Sequence, residues 1–193
     1  KQWRVLNKAE PVSLSAWECI SESYGPNVLS TIRVRTKSRS VGAPLLQTLA
    51  MSFLHFLGYY IGEGHAEDRY IIISTGDAVV VDEIIHVAKE CGMSFHYRPG
   101  TYDYQLGSTV WADVISSWCG THARAKRLPP FWASLSDAQR GALLRAYFSA
   151  DGTVEENAVT ASPVSRQLAY ELAYALLSLG VTARRRKRTA RVP

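Results

Sequence analysis

Cysteine is scarce in this chain of 193 residues: only Cys19, Cys91 and Cys119, an odd number, widely scattered. That excludes a disulfide framework and fits a reducing, intracellular compartment. Cys119-Gly120-Thr121-His122 has the spacing of half a zinc site, but no second half follows, so helix-end packing is the simpler reading. No apolar run approaches the roughly 18 residues needed to cross a bilayer. Neither end reads as a secretory signal, and no stretch is of low complexity. What remains is a chain long enough for one or two domains with a real core.

Acidic residues are lacking at one end. Residues 181–193 hold six bases (Arg184, Arg185, Arg186, Lys187, Arg188 and Arg191) and no acid. Removing them leaves 22 − 6 = 16 bases against 17 acids, so the net charge of +5 belongs to that block alone. Such a block is often a solvated tail. If it is a strand, alternate residues would face one side and could meet phosphates or base edges.

The most informative presence is a phrase written twice. Residues 56–64 read FLGYYIGEG and residues 144–152 read LRAYFSADG, with the acids 151 − 63 = 88 positions apart. The same offset carries Ser74 to Ser162, each after a β-like run, and Gly92 to Gly180, each after an amphipathic stretch. A common register without gaps indicates an internal duplication.

Local patterns supply the elements. Residues 46–62 read as a helix buried on most sides. Residues 69–75 read as a strand, with a further one near Ala66. Asp77 can cap a helix that ends at Gly92, with Val80, Ile84, Val87 and Cys91 inward. Strands at 94–98 and 101–106 flank the Pro99-Gly100 turn, and a short helix covers 111–118. In the second copy, 157–162 reads as a strand and Ser165 caps a helix to Gly180, after which the basic strand is expected. Residues 1–47 offer short strands at 3–5 and 31–36, loop punctuation at Pro11, Gly25-Pro26 and Gly42-Ala43-Pro44, and alternating bases Arg33, Arg35, Lys37 and Arg39. That segment reads as a linker, a remnant of a surrounding domain or an accessory DNA contact.

Both phrases resemble the LAGLIDADG motif of the dodecapeptide homing endonucleases, particularly those carried inside inteins; the resemblance covers residues 48–193. It implies an α+β fold of two α-β-β-α-β-β-α units related by a pseudo-twofold axis, with saddle-shaped sheets. The expected division is 1–47 flanking, 48–142 first repeat and 143–193 second repeat, the last incomplete. Gly58 and Gly62 lie four apart, as do Ala146 and Ala150, so each motif helix carries a strip of small residues that would let the two backbones pack closely.

Glu63 and Asp151 each end a helix before a glycine, where the dipole opposes a carboxylate by roughly 0.3–1 kcal/mol. If the strips pack together, the two acids also repel, and a divalent metal, Mg²⁺ or Mn²⁺, would relieve both penalties. Lys126, in Ala125-Lys126-Arg127-Leu128-Pro129, resembles the active-site lysine of the family's Lys-x-Ile-Pro element, with Leu in place of Ile. Lys187 is the nearest candidate for a matching base in the second copy. The implied partner is double-stranded DNA with a long target site, bound by a monomer. The candidate DNA face comprises Arg69, Arg98, Tyr102, Tyr104, Gln105, Thr160, Arg184 and Arg186.

The resemblance thus implies a site-specific double-strand DNA endonuclease. The alternatives are a non-catalytic nucleic-acid binder of the same fold (an RNA maturase or a transcription regulator) and a degenerate relic unable to cut. The chain does not begin with Cys or Ser and shows no terminal His-Asn pair, so protein splicing is not expected of it.

Overall fold

A computed structural model describes residues 33–34, 43–44 and 47–187. Most readings made before residue 47, including Arg35, Lys37 and Arg39, fall outside the described residues, as do Arg188 and Arg191. Arg33–Val34 (β1) pairs antiparallel with Ala43–Pro44 (β2). The second of these was expected as loop, but Ala43 is drawn into the core.

Helix α1 (Met51–Glu63) is buried from Phe53 to Ile61 on nearly every side, His55 being the partial exception. It starts at Met51 rather than near residue 46. The Gln139 side chain donates to the Leu49 carbonyl at 3.0 Å, and Ala50 is extended with ψ 157°. A tertiary bond therefore takes the carbonyl that a longer helix would have used. Strands β3 (Gly64–Ala66) and β4 (Tyr70–Ser74) follow, then helix α2 (Ala78–Cys91). Asp77 accepts from Val79 N at 2.8 Å, and Gly92, at φ 68°, closes the other end of α2. Strands β5 (Ser94–Tyr97) and β6 (Asp103–Gly107) and helix α3 (Thr109–Cys119) complete an α-β-β-α-β-β-α order.

After a 3₁₀ turn at Trp132–Ser134, helix α4 (Asp137–Asp151) opens with a full capping box between Ser136 and Gln139. Strands β7 (Gly152–Glu155) and β8 (Ala158–Ala161) and helix α5 (Arg166–Ser178), capped by Ser165, follow. The 88-residue offset survives in three dimensions. It carries Glu63, the end of α1, to Asp151, the end of α4. It carries α2 onto α5, and Gly92 onto Gly180, which shares its left-handed backbone (φ 80°).

The larger sheet has the order β3-β4-β6-β5, all antiparallel; β7 and β8 form a separate pair. Ile71, Ile73, Leu106 and Ala66 enter the core that α1, α2, α3 and α4 share. Alternation turns His65, Ile72, Gln105 and His96 to the opposite face, where they stand in cross-strand register.

The basic strand expected after Gly180 does not form: residues 181–187 are irregular. Five consecutive bases, 184–188, offer no alternating apolar side chain to bury, and a strand needs a neighbour to take its backbone hydrogen bonds. Among the described residues β8 pairs only with β7. Val154 (81 % exposed) and Val159 (60 %) lie bare, whereas their counterparts Ala66 and Ile71 are covered.

Candidate active site

Helix α4 is the main packing partner of α1, and the contact is a close one. A Cβ placed on Gly58 would stand 2.5 Å from the Leu143 carbonyl oxygen and 2.6 Å from Ala146 Cβ. One on Gly62 would stand 2.7 Å from Ala150 Cβ and 3.4 Å from Asp151 Cβ. The small residues of the two motifs therefore face one another, and the seam brings together the two helix ends that bear Glu63 and Asp151.

Burial, reinforced by the Asp151 charge, holds the Glu63 carboxyl above its usual range. The two acids are not treated alike. Tyr147, one turn before Asp151, donates to its Oδ2 at 2.9 Å. The repeat counterpart of Tyr147 is Tyr59 (147 − 88 = 59), which donates instead to Glu83 of α2 at 2.8 Å. No cation among the described residues forms an ion pair with either acid.

Two like charges meeting at two helix C-termini fit a divalent cation. No group of three or more metal-binding side chains occurs among the described residues, so such an ion would complete its shell with water or phosphate oxygens. Cys119 is no zinc ligand in waiting. It is the buried last residue of α3, and burial pushes its thiol up to about 12.

Lys126 is not a solvated loop lysine; only 5 % of it is exposed. Its Nζ donates to the Tyr60 carbonyl at 2.6 Å and lies 3.5 Å above the Tyr60 ring centre. When protonated, it sits as a cation at the negative end of α1. The loop that carries it is pinned by bonds from Tyr60 Oη to Gly120 O, from Leu128 N to the Glu171 carboxylate, and from Arg127 to Trp118 O. An open cavity of about 280 Å³ joins Lys126 to Asp151, with Gly62, His65, His122 and Ser162 in its wall.

Burial also pushes the Lys126 amine down to about 7. The folded chain then releases this proton near pH 7 and the unfolded chain only near 10.5, so stability rises with pH across that window. Against a Lys126→Met variant, in which all other titrations cancel, the parent should gain about 2 kcal/mol between about pH 7 and pH 9. Urea denaturation at the two pH values measures this. A constant difference would mean that the carbonyl and the ring keep the lysine charged throughout.

The DNA-facing candidates scatter. Gln105 (β6) and Thr160 (β8) lie on strand faces turned away from the core; Arg69 and Arg98 occupy exposed turns beside β4 and β5. Tyr104 does not belong with them. It stands opposite Ile73 and against Phe95 and Tyr97 (ring centres 5.8 and 5.3 Å), on the helix side of the sheet. Adjacent strand residues cannot share a face. Tyr102 is exposed just before β6. Arg184, Arg186 and Lys187 are exposed in the irregular segment, while Arg185 lies 3.7 Å over the Tyr170 ring. Tyr147 and His65 were missed from sequence, and His122 was considered only as half of a zinc site. Only Tyr147, at i−4 from the acid on one helix, carried a local signal.

Comparison with known proteins agrees with this geometry. Residues 138–192 match the family model of the LAGLIDADG-like domain. Over 142 residues (69 % of this chain), the chain is 31 % identical to the replication factor C small subunit of Methanocaldococcus jannaschii, covering 8 % of that protein. It is 26 % identical over 147 residues (70 % of this chain) to the Thermococcus kodakarensis protein of the same name, covering 16 % of it. With a DNA polymerase of Thermococcus aggregans it shares 28 % over 141 residues, 68 % of this chain and 8 % of that one. The chain thus spans less than a fifth of each of these relatives.

Among solved structures, mesophilic variants of the homing endonuclease I-DmoI superpose with a TM-score of 0.54 at 12 % identity, over 70 % of this chain and 80 % of theirs. I-DmoI in complex with DNA and Mn gives 0.52 at 12 %, over 70 % and 81 %. At that identity the likeness establishes the fold. The chain carries a LAGLIDADG-like domain in the fold of the homing endonuclease I-DmoI, with both motif helices in one polypeptide.

Proposed function

We propose that this protein is a site-specific, metal-dependent DNA endonuclease that cuts both strands of a long target as a pseudo-twofold monomer. The observation that carries the reading is the meeting of Glu63 and Asp151 at the ends of a tight seam, beside the buried Lys126. Non-catalytic relatives need DNA contacts but not a repelling acid pair next to a desolvated amine. An inserted element accounts for matches that fill 8–16 % of much longer relatives, which supports an intein-borne origin. The repeats are assigned to 48–142 and 143–193, with 1–47 flanking.

In this reading Glu63 and Asp151 hold Mg²⁺ or Mn²⁺, which supplies charge neutralisation at the scissile phosphate and acidity to water. I-DmoI, with Mn and DNA present in its complex, makes the same ion class reasonable for this fold. Tyr147 orients the Asp151 carboxylate. Lys126, already placed and dehydrated, stabilises negative charge on the phosphate without having to shed water during the reaction. Gln105 and Thr160 face the major groove from their strands, while Arg69, Arg98, Arg184 and Arg186 meet phosphates.

The reading is tested by incubating the protein with DNA of the uninterrupted host gene and Mg²⁺, against an EDTA control. Absence of discrete double-strand products would overturn it. Lys126→Ala should slow cutting by about tenfold or more at unchanged affinity. Weaker binding with unchanged chemistry would make Lys126 a backbone contact only.

A further inference from the structure

The cavity between Asp151 and Lys126 contains two side chains that the reaction outlined above leaves unused, His65 and His122. They come from different elements: His65 from β3, His122 from the loop after α3. Neither makes a side-chain hydrogen bond or ion pair among the described residues. His55 and His86 behave differently, for each meets a glutamate. His65 is half-buried, and alternation along β3 turns it away from the core that takes its neighbour Ala66. His122 is exposed, and neither imidazole has a buried, unsatisfied nitrogen, so both rings are open to water and can take a ligand from the cavity.

The chemistry of the cavity indicates which ligand. The Lys126 amine is already bonded to the Tyr60 carbonyl, and Asp151 is an acceptor that repels anions. A phosphodiester placed here needs further N–H donors on its non-bridging oxygens. An imidazole offers one in either tautomer, so the contact requires no change of protonation. The two histidines do not form a metal-binding group with Asp151 among the described residues. At the repeat counterpart of His65 (65 + 88 = 153) stands Thr153, whose hydroxyl is also a donor.

We propose that His65 and His122 donate hydrogen bonds to the oxygens of a DNA phosphate seated in this cavity, making them substrate-binding residues of the Asp151 side. The proposal rests on the endonuclease reading but is tested separately from it. The full chain, labelled with ¹⁵N in its five histidines, is titrated with dimethyl phosphate and then with a mixed-sequence DNA duplex, both in EDTA. The His65 and His122 imidazole signals, assigned with His65→Asn and His122→Asn, should shift saturably while that of His86 stays still. Cutting by either variant should fall about tenfold with melting temperature unchanged. Unmoved signals at duplex saturation, or a His86 shift of equal size, would overturn the contact even if DNA is cut. Shifted signals without any cutting by the parent protein would support the contact and overturn the endonuclease reading.

Discussion

The double variant Glu63→Gln, Asp151→Asn is expected to leave both DNA strands intact while melting at a higher temperature than the parent chain. The two effects share one cause. The acids meet at the C-terminal ends of α1 and α4, where the helix dipoles oppose them, and burial together with the Asp151 charge raises the Glu63 carboxyl above its ordinary 4.5. A carboxyl raised in the folded state binds its proton more tightly there than in the unfolded chain. Its cost is therefore absent below about pH 4.5 and grows as pH rises above it. The gain in melting temperature should accordingly be small near pH 4 and larger at neutrality. Cutting should fall by at least about a hundredfold, because the cation and its charge neutralisation are lost together. Single variants should each spare at most one strand's cut. DNA affinity in Ca²⁺ serves as the control, and a double variant that still makes double-strand breaks would remove both acids from the mechanism.

Gly58→Ala should destabilise the protein although alanine is the better helix former by about 1 kcal/mol. Tertiary contact decides the sign. The added methyl would lie 2.5 Å from the Leu143 carbonyl and 2.8 Å from Tyr147 N, both backbone atoms that cannot swing aside. Overpacking of this kind costs typically about 1–3 kcal/mol, so about 2–10 °C in melting temperature is expected for a chain of this size. Gly62→Leu should act more on catalysis. Its neighbours across the seam are Ala150 Cβ and Asp151 Cβ, so spreading the helices there displaces a reacting carboxylate directly. Cutting should then fall about a hundredfold, far beyond what the loss of stability explains. A stable Gly62→Leu protein that cuts at the parental rate would place the seam elsewhere.

Local chemistry was legible in the residues themselves. Asp77 and Ser165 cap their helices, and Gly92 and Gly180 take the left-handed backbone that ends them, because those bonds span only a few positions. The 88-residue offset predicted the pairing of two motif helices, since small residues four apart on each can serve only a close helical contact. The start of α1 escaped this logic: a bond from Gln139, ninety residues away, holds Leu49 out of the helix.

What the chain alone determined was the duplication, the element order of the first repeat, the small-residue strips and the two acids. Only the tertiary structure decided that Lys126 is buried against the α1 carboxyl end rather than solvated, and that His65 and His122 join Asp151 around one cavity. It alone denied residues 181–187 a strand, and it placed Tyr104 and Gln105 on opposite faces. The physical reason is common to all of these. Caps and periodicities are set by neighbours in sequence, whereas desolvation, strand pairing and convergence of side chains depend on neighbours in space.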